Sequence, residues 1–178
     1  SEVSGVVFTV HPVTQDKTQM IIEAGYGLGE SIVSGSITPD SYVIDRKDEL
    51  ILDVSISEQE KMMIIKGAKG GLKWSSVPKA KQEKQKLSGP KIMELAKLCA
   101  KIEKHYKHPQ DIEWAVEKNS IFIVQTRAVT TLKQKITEHV EVKDAGKILV
   151  KGETASAGVA SGKVKIIHNM DELNNVEK

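Results

Sequence analysis

Glu113, Gln125 and Arg127 place a carboxylate, an amide oxygen and a guanidinium close together in the chain, each at an alternating position of an apolar segment. A hard cation such as magnesium takes oxygen ligands, and a phosphate takes a bidentate cationic donor, so this trio suits a metal-nucleotide site.

The segment that must position them is DIEWAVEKNSIFIVQTR, residues 111–127. It reads as two strands joined by a tight polar turn. On the first strand, alternation sets Asp111, Glu113 and Ala115 on one side and Ile112, Trp114 and Val116 on the other. Period two groups Ile121, Ile123, Gln125 and Arg127 on the second strand. A three-residue turn at Lys118, Asn119 and Ser120 then sets Glu113 across from Gln125 and Asp111 across from Arg127. The competing reading of the same pattern is a surface hairpin whose polar side is simply solvated.

Composition narrows the function classes. The 178 residues are enough for one domain, or for one and part of another, and their formal net charge is +2. No strong field calls for nucleic acid or an acidic membrane, and the aromatic content of 4% gives basic residues little to interleave with. Cys99 is the single cysteine, which excludes an internal disulfide and a zinc cluster built on thiolates. It falls on the apolar side of an expected helix and reads as a buried structural thiol. With no apolar run of membrane-spanning length and no signal peptide, the expected compartment is the cytoplasm. The chain opens without an initiator methionine and ends in a polar stretch that looks like an unfinished helix, so a fragment of a longer protein is expected.

Strands are expected at 5–10 and, as its hairpin partner, 19–24. Further strands follow at 42–45, 50–56 and 61–65, and a short helix at 30–33. The region 66–87, rich in Gly, Lys and Gln, reads as a long excursion or mobile insertion. A helix at 90–106 has Ser88 as N-cap, Pro90 in its first turn and Ile92, Leu95, Cys99, Ile102 and Tyr106 along one face. His105 and His108 follow near its C-terminus, where imidazolium suits the helix dipole and no third ligand is spaced for a metal.

The segments DIEWA and IFIVQTR, with the helix LAKLCAKIEKHY before them, resemble the end of the ATP-grasp nucleotide-binding domain in the phosphoenolpyruvate synthase (pyruvate, water dikinase) family. The resemblance implies an α/β (α+β) fold: an ATP-grasp C-terminal subdomain with mainly antiparallel sheet over 1–132. A linker at 133–147 and the β-rich start of a swivelling phosphohistidine domain at 148–178 would follow. The last carries Ala155, Ser156, Gly158, Ser161 and Gly162, a small-residue pattern similar to the family's and read as structural. The resemblance further implies that Glu113 and Gln125 hold Mg2+ against ATP and that Arg127 contacts the transferring phosphoryl group. ATP and pyruvate are the implied partners of the full-length protein, and any self-association would run through domains outside this chain. The fragment alone is expected to lack turnover. The open alternatives are a rifampicin phosphotransferase, a pyruvate phosphate dikinase relative and a non-catalytic adaptor that kept the scaffold.

Other candidates read as structural. Gly25, Gly27 and Gly29 fit neither a Rossmann nor a Walker A spacing and suggest a turn feeding the short helix. Glu30, with Pro39 and Asp40 after it, adds to the family likeness without defining a role. His11 and His168 stand singly near strand ends and suit local hydrogen bonding.

Overall fold

The computed structural model describes residues 1–67, 70–130 and 162–167. The chain divides into two units, Ser1–Asp144 and Ala145–Lys178. In the first unit, strands β1 (Val3–Phe8), β2 (Gln19–Tyr26), β3 (Asp40–Asp45), β4 (Leu50–Ser55), β7 (Gln110–Glu117) and β8 (Ser120–Ala128) form one sheet. Its order is β4-β3-β2-β1-β7-β8, every neighbour antiparallel. The class is mixed α/β with mainly antiparallel sheet, as expected.

One face of the sheet carries Val7, Ile22, Ile44, Ile112 and Trp114, all buried against helix α3 (Gly89–Tyr106). The helix turns Ile92, Leu95, Ala96 and Cys99 to that core. Its N-cap Ser88 is extended but makes no side-chain capping bond, and Lys107 ends the helix in the left-handed conformation. Tyr106, expected on the apolar face, is exposed because the helix is already closing at its C-cap. Trp114 fits between strands because Gly5 lies directly across from it. A Cβ at Gly5 would sit 1.8 Å from the Glu23 carbonyl oxygen and 2.8 Å from the Trp114 ring. The other face is covered at one end by α1 (Glu30–Val33), which buries Ser31 and Ile32.

The segment 66–87 corrects the expectation of a mobile excursion, apart from residues 68–69, which lie outside the described residues. Strand β6 (Leu72–Ser76) pairs with β5 (Lys61–Ile65) in a separate two-stranded sheet, and a short helix α2 (Lys79–Gln82) follows. Val77, Lys86 and Leu87 are buried. Lys86 explains the order. Its Nζ lies 2.7 Å from Asp40 Oδ1 with both side chains fully buried, and it also donates to the Ser57 carbonyl. The Asp40 carboxylate accepts further bonds from Tyr42 Oη and from the Ser57 and Lys86 amides. A charge buried with this many partners locks its segment, and no hydropathy pattern reveals it.

In the glycine-rich turn, Gly27 makes contacts that tie the turn to the fold. Gly27 has φ +91°, bridges to Met63 of β5, and offers its carbonyl to the hydroxyls of Ser1 and Ser4. His11 Nδ1 accepts the amides of Val13 and Thr14, the local role expected of it. In the second unit, residues 162–167 carry no regular secondary structure, contrary to the β-like run expected there. The linker 133–147, residues 155–161 of the small-residue pattern and His168 lie outside the described residues.

Candidate functional site: a polar row on the sheet

The expected register is present: Glu113 pairs with Gln125 and Asp111 with Arg127. It arises by another route. The turn is the two residues Lys118 and Asn119, both left-handed at φ 47° and 64°, and Glu117 pairs with Ser120. Two positive φ values in a two-residue loop match the twist of the flanking strands. From there Ile121 faces Val116 and Ile123 faces Trp114, so both pack on the core rather than sharing a face with Gln125 and Arg127. A bulge at Val124 restores the register beyond it. One extra residue exchanges the two faces of a strand, so the odd-numbered residues of β8 face the core before the bulge and the polar face after it.

Sheet order extends that face into two rows. Glu23, Val6, Glu113 and Gln125 lie side by side across β2, β1, β7 and β8. In the next row stand Ile21, Phe8, Asp111 and Arg127. A cavity of about 180 Å³ opens over them, with Val6, Phe8, Ile32 and Val33 as apolar lining and Glu23, Asp111, Glu113 and Arg127 as polar lining. Glu23 was not singled out from the sequence. Its only signal is a charged residue inside an apolar strand, and its neighbour Glu113 is brought to it by the long-range pairing of β1 with β7.

Arg127 donates from Nε at 2.7 Å and from Nη2 at 2.6 Å to Asp111 Oδ2, so one carboxylate oxygen holds one side of the guanidinium. Asp111 is largely buried while the Arg127 side chain is 64% exposed, which leaves its remaining donors facing outward. The hydrogen bond to Asp111, followed by that carboxylate's charge, raises the Arg127 pKa above its ordinary value and keeps it cationic. The side chains of Glu113 and Gln125 make no hydrogen bond to other described residues. The two residues are paired across the strands with their side-chain oxygens unspent; Glu113 lines the cavity, while Gln125 is exposed beside it and is not part of its lining. No group of three His, Cys, Asp or Glu side chains able to hold a metal exists among the described residues. The pair fits magnesium better than a metal that needs an all-protein cage, since magnesium binds through one or two protein oxygens and completes its shell with phosphates and water. Glu30 is exposed at the start of α1 and does not line the cavity, while His105 and His108 lie beyond it at the end of α3. Among the described residues no helix is long and apolar enough to cross a membrane.

With the antiparallel sheet and its acid, amide and guanidinium rows in view, residues 1–147 match the pyruvate phosphate dikinase, AMP/ATP-binding domain family, and the chain belongs to that family. Among particular relatives, it is 44% identical to the probable phosphoenolpyruvate synthase of Methanocaldococcus jannaschii, aligned over 100% of this chain and 15% of that protein. It is 46% identical to the probable phosphoenolpyruvate synthase of Archaeoglobus fulgidus, over 100% of this chain and 24% of that protein. The phosphoenolpyruvate synthase of Pyrococcus furiosus is 39% identical, again over 100% of this chain and 23% of its own length. The chain thus spans a quarter or less of these relatives.

Proposed function

We propose that this chain is the nucleotide-binding part of a dikinase that converts pyruvate, ATP and water to phosphoenolpyruvate, AMP and phosphate through a phosphohistidine. The observation that carries the reading is the side-by-side placement of Glu113 with Gln125 and of Asp111 with Arg127 on one open face of the sheet. Family membership and relatives named phosphoenolpyruvate synthase support it. They favour it over rifampicin phosphotransfer or a non-catalytic adaptor.

In this reading residues 1–132 are the C-terminal subdomain of an ATP-grasp domain, 133–147 a linker and 148–178 the start of a swivelling domain. Glu113 and Gln125 hold Mg2+, which supplies charge neutralisation along the ATP phosphates. Arg127, fixed on one side by Asp111, aims its free donors at the phosphoryl oxygens. Phosphoryl transfer spreads negative charge over three oxygens, so catalysis rests on positioning and on cations set in advance. Presetting Arg127 with a buried carboxylate lowers the ordering cost when a phosphate arrives. The cytoplasm, where ATP and pyruvate are both at hand, is the location this reading expects.

The test is calorimetric titration of ATP with and without magnesium, on the full-length protein and its Glu113→Ala and Arg127→Ala variants, beside a pyruvate-dependent AMP assay. Expected are loss of the magnesium-dependent affinity in Glu113→Ala and a drop of about 10²-fold or more in AMP formation in Arg127→Ala. Pyruvate-independent turnover, or variants as active as the parent, would end the proposal.

A further inference from the structure

The larger concavity of the first unit lies on the opposite face of the sheet, where α3 diverges from β2 and β3, and encloses about 670 Å³. That volume is in the range of small-molecule sites, roughly 300–1,000 Å³. Met20 and Ile44 from the sheet and Met93 and Ala96 from α3 give it an apolar floor.

Charge is unevenly satisfied around the rim. Each acid there is engaged: Glu103 by Arg46, Glu49 by Lys97, and Asp45 by the amides of Lys47 and Asp48. Arg46 is itself fixed by the carbonyls of Thr9 and Lys17. Lys17, Lys47 and Lys101 are exposed on the lining, and their ammonium groups have no partner among the described residues. Three free cations around an apolar floor select for an anion that carries an apolar body. Glu103 Oε2 adds an acceptor: it is buried with no hydrogen bond among the described residues, a cost that a donor on a bound molecule would remove.

We propose that this groove binds a small amphipathic anion, an aromatic or branched apolar body carrying a phosphate, sulfonate or carboxylate, at a site separate from the polar rows on the other face. The apolar body lies on Met20, Ile44 and Met93, and the anionic group reaches the lysine rim. The groove does not use Glu113, Gln125 or Arg127, so it stands or falls independently of the dikinase reading.

The experiment is a titration of the full-length protein, labelled with methyl-13C methionine and assigned by single Met→Leu variants, with 1-naphthyl phosphate. The Met20 and Met93 methyl signals are expected to shift along one saturating curve while those of Met62 and Met63 on β5 stay in place. Removing the rim charge in Lys17→Ala/Lys47→Ala/Lys101→Ala should weaken binding roughly 10-fold. Ala100→Trp, which fills the groove from a partly buried position on α3, should abolish it, and both variants should bind ATP like the parent. Neutral 1-naphthol should bind much more weakly than the phosphate. The proposal is overturned by equal binding of 1-naphthol, by variants that bind as the parent does, by shifts confined to other methionines, or by a parent that does not bind because another part of the protein covers the groove.

Discussion

Asp111 shows how much of the candidate site depends on a residue that acts through its neighbour. Its Oδ2 takes two donors of Arg127, and a neutral amide in its place would keep the volume and lose the charge that aims the guanidinium. In the full-length protein, Asp111→Asn should weaken ATP binding by roughly 3- to 10-fold in calorimetry, less than Arg127→Ala does, because the cation remains but is no longer held. Cys99 makes a residue-scale statement of a different kind. Burial pushes its thiol from 9.0 up to about 12. A folded pKa above the unfolded one means that the native state keeps a proton which the unfolded state releases. Stability is therefore complete below about pH 9 and falls by about 1.4 kcal/mol per unit as the pH rises from there toward 12. Urea unfolding between pH 8 and 11 should show this slope, made shallower in Cys99→Ala, and a thiol reagent should label Cys99 only on unfolding. Burial of Tyr42, with its hydrogen bond to Asp40, raises that phenol's pKa and adds to the same alkaline loss.

At the scale of elements, the hairpin β7–β8 carries the clearest lesson about legibility. Alternation alone located Glu113, Gln125 and Arg127 and paired them correctly, but through a three-residue turn and an unbroken strand. The structure has a shorter turn and a bulge, and the two differences cancel at the site. They do not cancel for Ile121 and Ile123, which an unbroken period would have left on the polar face. A bulge is invisible in single-sequence alternation because it is chosen by what packs on each half of the strand, here the core against Val116 and Trp114. The helix 90–106 was legible almost to the residue because its apolar stripe is long and periodic, with only Tyr106 misplaced. Lys118 occupies a left-handed position that Asn or Gly takes more readily. Replacing Lys118–Asn119 by Asn-Gly should stabilise the hairpin by about 0.5–1 kcal/mol, a rise in Tm of a few degrees by scanning calorimetry, with ATP binding unchanged. Deleting Val124 should do the reverse. It rotates one half of β8 out of phase, so stability or magnesium-dependent ATP affinity must fall.

For the whole molecule, the buried Asp40–Lys86 pair ties the β5–β6 sheet and α2 to the main sheet, and it was the feature least legible in the sequence. Lys86 lies in a lysine-rich stretch that reads as solvated, and only the partners supplied by the Asp40 carboxylate and the Ser57 carbonyl single it out. Lys86→Met should cost about 3–5 kcal/mol in urea unfolding, since it strands a carboxylate in the interior. Adding Asp40→Leu should recover part of that loss, a result that separates charge burial from packing. The placement of Glu23 beside Glu113 was hidden for a related reason: strands β1 and β7 are far apart in the chain, and adjacency at that range is a property of the assembled sheet. The sheet sets its polar rows on one side and its core on the other, and the odd-numbered residues of β8 change sides partway along. In a saturation mutagenesis experiment β7 should therefore show a regular every-other-residue rhythm of tolerance. Strand β8 should show that rhythm skip a beat at Val124, with losses of abundance before it and losses of ligand affinity after it.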